Sequence, residues 1–347
     1  MLPLEVLTRA GAEITNYGGS GMSVMEMSHR SKAFDGIFQD TKAKLRRLMG
    51  VPESHEILFL QGGASTQFSM VPLNLMGRTG KADSAVTGNF AKIAAKEAGK
   101  YGTVNLAADT TECGHTRIPT QQELKLDGEA SYFYYCANNT IFGTEWKYVP
   151  ETGNVPLVCD MSSDILSQPV DVSKYGIIFA GAQKNMAPAG LTVVFIRKDL
   201  AGGEMPYTPL MLSYNTMIQK DSMYNTPPCW CIYMLGLVLD WVEEQGGLAG
   251  MVARKKARAQ MLYDTLDTSR MFTCPVEKEA RSDMNVVFRT GDTELDAAFV
   301  KASTEAGFSN LKGHRLVGGM RASIYNAMPV EGVEKLCEFI RAFERSH

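Results

Sequence analysis

Gly176-Ile-Ile-Phe-Ala-Gly-Ala-Gln-Lys184-Asn-Met-Ala-Pro-Ala-Gly190, followed at once by Leu191-Thr-Val-Val-Phe-Ile196, is the stretch on which the reading of the fold turns. A short apolar strand ends in small residues and delivers one lysine into a Gly/Ala/Pro-rich turn, and a second strand follows. Such a turn holds Lys184 on a rigid platform. A lysine amine forms a Schiff base with an aldehyde when burial or neighbouring cations lower its pKa from roughly 10.4. Most lysines beside strands are solvated surface charges, so Lys184 alone says little. Asp160, at the end of the apolar stretch Val155-Pro-Leu-Val-Cys-Asp160, changes that. In open α/β sheets ligands gather at the carboxyl ends of strands, where a strand-terminal aspartate and a lysine from the next strand can reach one pocket. An aspartate at a pyridinium nitrogen and a lysine on the aldehyde are what proteins contribute to a pyridoxal 5'-phosphate site.

Working outward, His55–Leu60 reads as a strand, and Gln61-Gly-Gly-Ala-Ser-Thr-Gln67 as a small turn opening a helix from Phe68 to Met76. Strand, glycines and helix N-terminus make a phosphate cradle, because free backbone N–H groups and the positive end of the helix dipole face the anion. Tightness of a strand-to-helix turn is the competing reason for the glycines. The chain has neither a Walker lysine nor a G-x-G-x-x-G, which removes support for nucleotide binding. Ser84–Phe90 reads as another strand with Phe90 at its tip, placed either to stack on a planar ring or to fill the core. A helix from Ala91 to Tyr101 follows, and Gly128–Ala137 reads as a strand ending in Asn138-Asn-Thr140. Strand ends at residues 61, 87, 138 and 160 thus all carry small or polar groups of the kind that line a ligand pocket.

Leu4–Tyr17 has the spacing of an amphipathic helix, broken by Gly18-Gly-Ser-Gly21, and a second helical pattern runs from Phe34 to Met49. His29 and Arg30 sit where the glycine-rich connection enters that helix, either to meet an anion or as solvated charges. Beyond Lys184, residues 207–224 read as irregular, Trp230–Val242 as an apolar helix, Gly246–Gly250 as a break and Met251–Leu266 as a long basic helix. Asn285–Arg289 reads as a strand, Glu294–Ala306 as a helix, Gly313–Asn326 as a turn and strand, and Val330–Arg345 as a closing helix. The predicted division is a large domain over 1–249 and a small C-terminal α+β domain over 250–347, with the first residues able to pack on the small one. His314, Arg315 and Arg321 form a second cationic group, suited to forking carboxylate or phosphate. Surface charge is the alternative, and Arg321 is the better candidate of the three.

With 45% hydrophobic and 21% charged residues among 347, the chain has the make-up of a globular enzyme with a sizeable core. A net charge of -3 gives no footing for nucleic acid or an anionic membrane, and no apolar run approaches the roughly 18 to 20 residues of a membrane span. Seven cysteines, an odd number without metal or redox spacing, predict buried thiols, no metal site and a reducing, cytoplasmic setting.

Several blocks together resemble the phosphoserine aminotransferases, in the class V group of fold-type I pyridoxal phosphate enzymes. They are Gly21–Ser31, Phe59–Ser65, Asn138–Thr140, Asp160–Ser163, Ala180–Asn185, Asn225-Thr-Pro-Pro228 and Gly313–Ala327, in order along nearly the whole chain. The resemblance implies a homodimer with shared active sites, in which a large α/β domain with a mainly parallel seven-stranded sheet flanked by helices is joined to a smaller C-terminal α+β domain. It implies that Lys184 carries the cofactor covalently, Asp160 meets the ring nitrogen, Thr140 bonds the ring-oxygen side and Phe90 stacks on the ring. Ala64, Ser65 and Gln183 would bind the cofactor phosphate, with Asn225 and Thr226 reaching in from the other subunit. Arg321 would take the substrate α-carboxylate, and His314 and Arg315, with His29 and Arg30 of the other subunit, the substrate phosphate. The implied reaction is transamination between glutamate and 3-phosphohydroxypyruvate in serine biosynthesis, with pyridoxine biosynthesis as a second route. Another class V aminotransferase of the alanine- or serine-glyoxylate type, or a cofactor-binding protein with impaired catalysis, is the alternative. Two departures stand out. Phe90 replaces the family's usual tryptophan and is expected to stack with less overlap, and Met1-Leu2-Pro3 lacks the preceding Asn-Phe-x-Ala-Gly-Pro-Ala, whose absence carries the expectations of lowered activity and an unrecorded leader.

Overall fold

The computed structural model describes residues 1–347. Its helices in chain order are α1 (Leu4–Glu13), α2 (Lys32–Met49), α3 (Gly63–Leu75), α4 (Asn89–Ala98), α5 (Tyr214–Gln219), α6 (Cys229–Glu244), α7 (Gly247–Thr268), α8 (Thr293–Glu305) and α9 (Val330–Ser346). Its strands are β1 (His55–Leu60), β2 (Lys81–Val86), β3 (Thr103–Asp109), β4 (Phe133–Cys136), β5 (Asn138–Asn139), β6 (Thr144–Glu145), β7 (Leu157–Asp160), β8 (Ile177–Gly181), β9 (Thr192–Arg197), β10 (Asn285–Phe288) and β11 (Met320–Ser323).

Seven strands form one sheet in the order β1-β9-β8-β7-β4-β2-β3. Neighbours are parallel except at β9, which runs antiparallel to both β8 and β1. The expected mainly parallel sheet is therefore present. Central strands read as continuous apolar runs because both faces are covered, and their side chains part by parity. Phe59, Phe133, Tyr135, Cys159, Ile178 and Phe195 enter the core beneath α2 and α6, while Leu58, Tyr134, Val158, Phe179 and Val194 enter the core beneath α3 and α5. Asp160 keeps the parity of Val158 and so belongs to the second face. One residue of slip would bury it on the other.

Residues from Ala259 onward build a third core on α7, α8, α9 and the antiparallel β10–β11 pair, with Phe272, Phe288 and Phe299 at its centre. The glycines at 246–250 interrupt the chain only at Gln245–Gly246, so α7 runs unbroken through residues 249 and 250. Its first turns, with Leu248 and Met251, pack on the large core, and its later turns on the small one.

Several local expectations are corrected. The first residues pack on α6 rather than on the C-terminal portion. Tyr233 donates to Glu13 there, and Arg9 pairs with Asp240 at 3.5 Å. Helix α3 begins at Gly63, so Ala64 and Ser65 lie in its first turn. Phe90 likewise belongs to the first turn of α4 and not to a strand tip. Edge strand β3 is absent from the elements read in the sequence: most of its side chains are exposed, and its alternation, Thr103-Val-Asn-Leu106, spans only four residues.

Candidate active site

The loop between β8 and β9 is closed by Ala182 N–H donating to Leu191 O at 3.0 Å, and inside it Met186 and Ala187 both donate back to Ala182 O. Lys184 rides on this single helical turn, half-buried, with its Nζ donating to Thr140 Oγ1 at 2.7 Å. The same Nζ lies 5.2 Å from the centroid of the Phe90 ring. Asp160 ends the adjacent strand, in register with Cys136 of β4 and Phe179 of β8. Ser162 ties the two strand ends together: its N–H donates to Asp160 Oδ1 at 2.9 Å, and its Oγ accepts Gly181 N–H at 2.9 Å. Lys184, Asp160, Thr140 and Phe90 thus meet at the carboxyl ends of β8, β7 and β4 and the start of α4, where such sheets place ligands.

Burial raises the pKa of Asp160 above its ordinary value, and the Ser162 hydrogen bonds and the Lys184 charge offset this only in part. A carboxyl shifted upward in the fold stabilises the fold below its ordinary pKa and loses that contribution as pH rises through the shifted one. Without a cation on Asp160, Asp160→Asn is therefore expected to melt no lower than the parent protein at about pH 8, with the gap closing as pH falls toward about 4. Calorimetric melting of the cofactor-free proteins at the two pH values checks this. A lower Tm for the variant at the higher pH would show that Lys184, not burial, dominates the Asp160 environment.

At the other side of the sheet's carboxyl edge, Gly62 precedes α3 with φ +90°, and a Cβ there would stand 1.9 Å from Thr66 Oγ1. Only glycine lets the chain enter the helix this tightly. The N–H groups of Gly63, Ala64 and Ser65 come before the first hydrogen bonds of α3 and remain free to bind an anion. Gly88 allows a similar approach before α4, since a Cβ there would meet Asn139 Oδ1 at 2.4 Å. Gln183 is exposed, with its amide over Gly181. Asn225 and Thr226 lie against Gln61 of the same chain: Gln61 Nε2 donates to Thr226 O at 2.8 Å, and Asn225 Nδ2 to Gln61 Oε1 at 3.4 Å.

Arg321 reaches the site from β11. Its Nη1 donates to Thr140 O at 3.3 Å, while its buried Nε has no partner. His314 and Arg315 instead line a groove against α8 with Lys301 and Lys312, and His29 and exposed Arg30 lie on the turn before α2. Neither pair shares a hydrogen bond with the residues around Lys184 within one chain.

Three features escaped the sequence reading. Thr87 Oγ1 accepts from both Asn139 Nδ2 and Trp146 Nε1, which locks the strand end before Thr140. Asn185, next to Lys184, donates to Ile165 O at 2.6 Å and accepts Asn326 N–H at 2.9 Å, joining the Lys184 turn to the segment after Asp160 and to the exit of β11. Ser162 was quoted in its motif, but nothing local announces its bridging role. Such partners are distant in sequence, so no spacing reveals them.

Unspent hydrogen-bonding capacity makes the fit to pyridoxal phosphate. Asp160 Oδ2 accepts no hydrogen bond from the protein and could take one from a ring N–H, and the bare N-terminus of α3 could hold a phosphate. Residues 1–336 match the aminotransferase class-V family. A phosphoserine aminotransferase of Laribacter hongkongensis is 51% identical over 348 residues, covering 100% of this chain and 97% of that one. The structure of the Bacillus circulans subsp. alkalophilus phosphoserine aminotransferase superposes with a TM-score of 0.98 at 46% identity, over 100% of this chain and 96% of that one. A pyridoxal-phosphate-bound phosphoserine aminotransferase from Trichomonas vaginalis gives a TM-score of 0.94 at 40% identity, over 98% and 97%.

Proposed function

The chain belongs to the class-V aminotransferases and, within them, to the phosphoserine aminotransferases, and from that premise we propose how its residues divide the work. It is a pyridoxal-phosphate-dependent enzyme of serine biosynthesis, moving the amino group of glutamate to 3-phosphohydroxypyruvate and yielding O-phospho-L-serine and 2-oxoglutarate. When bound, the cofactor supplies an electrophilic carbonyl and a ring that takes up the electron pair left when the Cα–H bond breaks. Lys184 would carry it covalently, and its amine would remove and return the Cα proton of the substrate. Thr140, at 2.7 Å, orients that amine. Asp160 would hold a proton on the ring nitrogen, Phe90 would cover the ring face, and Ala64, Ser65 and Gln183 would bind the cofactor phosphate. The observation that carries this reading is the meeting of Lys184, Thr140, Phe90 and Asp160 at one set of strand ends. A coupled assay of 3-phosphohydroxypyruvate with glutamate tests it, and no turnover by cofactor-loaded protein would sink it.

Arg321 is assigned to the α-carboxylate that every substrate and product of this reaction shares. Its free Nε supports that role. Arg321→Gln is expected to raise KM for glutamate and for the keto acid together by about tenfold or more, the loss of a charge-assisted hydrogen bond. The preference for a phosphorylated keto acid should survive the change, and steady-state kinetics on both acids distinguish the two outcomes.

The active form is proposed to be a homodimer in which His29, Arg30, Asn225 and Thr226 of each chain complete the site of the other. Support comes from the lack of any hydrogen bond between His29 or Arg30 and the residues around Lys184 within one chain, and from apolar side chains exposed on nearby segments, among them Met22, Met25, Leu210 and Met211. The division into 1–249 and 250–347 is kept, with α7 shared between the two cores. No helix is long and apolar enough to cross a membrane. A cytoplasmic setting is proposed with support from seven free cysteines.

A further inference from the structure

The turn after Asp160 carries a second carboxylate, Asp164, that transamination does not use. Here the chain crosses to the opposite face of the sheet, so that Asp164 joins Met161, Tyr135 and Ala137 in lining a cavity of about 420 Å³. That volume falls within the range of roughly 300–1,000 Å³ typical of small-molecule sites. Asp164 is only 6% exposed, its Oδ1 is enclosed without a hydrogen-bond partner, and no other protein group donates to its carboxylate. The neighbouring acids, by contrast, are answered. Glu145 lies 3.1 Å from Lys147 and 3.6 Å from Lys255, and Asp283 lies 3.4 Å and 3.8 Å from the same two lysines. Lys255, 1% exposed, also donates to Gln168 Oε1 at 2.7 Å. One buried carboxyl therefore faces the cavity unspent.

The chemistry of the walls narrows the ligand. No three acidic, histidine or cysteine side chains come close enough to share a metal ion. Tyr135, Trp146, Tyr148 and Tyr175 line the cavity, and aromatic faces attract organic cations while covering a carbon chain. A carboxylate in such a place makes its strongest hydrogen bond to a charged N–H donor. We propose that this cavity binds a small primary alkylammonium ion, with the ammonium on Asp164 and the alkyl chain along the aromatic walls. Burial first, and Glu145 second, hold the Asp164 carboxyl well above the ordinary carboxylate range. An ammonium on Asp164 favours the carboxylate form and so opposes that upward shift, as Lys255 and Lys147 already do in part. Lys184 lies across the sheet, so this amine does not compete with the reacting one.

Calorimetric titration of the cofactor-loaded protein with putrescine at neutral pH tests the proposal. Expected are saturable binding at one site per chain and no change in the visible absorbance of the cofactor. Asp164→Asn should weaken binding by about tenfold or more. Val149→Trp, which fills the cavity without removing a side-chain hydrogen bond, should weaken it as well and stands in if Asp164→Asn does not fold. Tetramethylammonium, which has no N–H, should bind far more weakly than putrescine. Absence of saturable binding, equal affinity in either variant, or binding that tracks a change in cofactor absorbance would each overturn the assignment.

Discussion

Lys184→Ala is expected to retain the cofactor only noncovalently and to lose at least roughly 10⁴-fold in turnover, because one side chain supplies both the covalent anchor and the proton carrier. A general base alone contributes about 10² to 10⁴. In this chain nothing stands ready to replace it. Thr140, whose Oγ1 accepts from Nζ at 2.7 Å, is a poor base, and Asp160 is the residue proposed for the ring nitrogen. The variant should fold normally, since Lys184 is half-buried and makes one side-chain hydrogen bond, so loss of Tm is not expected to accompany loss of activity. Borohydride reduction followed by mass spectrometry reads the covalent link, and a single-turnover assay with glutamate reads the chemistry. Residual activity within tenfold of the parent would refute the role given to Lys184.

Hydroxypyruvate is expected to react with a kcat/KM about 10⁴-fold below that of its phosphate ester, because a site built for a charged group leaves its cations unpaired when that group is missing. At an effective dielectric near 20, one charge pair at 4 Å contributes about 4 kcal/mol before desolvation, and two His-Arg pairs offer several such contacts. Arg30 and Arg315 are exposed in a single chain, where ion pairs contribute little. In the proposed dimer the partner chain closes over them, and the preference should shrink as salt is raised. Arg315→Ala should narrow the ratio between the two keto acids, whereas Arg321→Gln should leave it unchanged. Comparable kcat/KM for both acids in the parent protein would remove the phosphate from the proposed chemistry.

Much of this was legible before any coordinates. The run through Lys184, the strand ending in Asp160 and the glycine-opened helix at 62–65 carry their meaning locally, because strand parity, turn residues and helix ends are set by near neighbours in sequence. Boundaries were less legible. Gly63 and Asn89 begin helices earlier than apolar spacing suggests, since close approach at Gly62 and Gly88 depends on Thr66 and Asn139. Edge strand β3 gave only a short signal, Thr103-Val-Asn-Leu106, because as an edge it leaves most of its side chains to solvent.

By itself, then, the order of residues determined that an amine, a carboxylate and an anion cradle would lie at the carboxyl edge of one α/β sheet, since each rests on short-range geometry. The folded chain alone decided that Ser162 ties Asp160 to the Lys184 strand and that Asn185 joins the Lys184 turn to Asn326. It also decided that Asp164 turns to the far face with no partner. Those contacts bring together segments up to 141 residues apart, and their pairing follows from how whole layers pack, which no local pattern encodes.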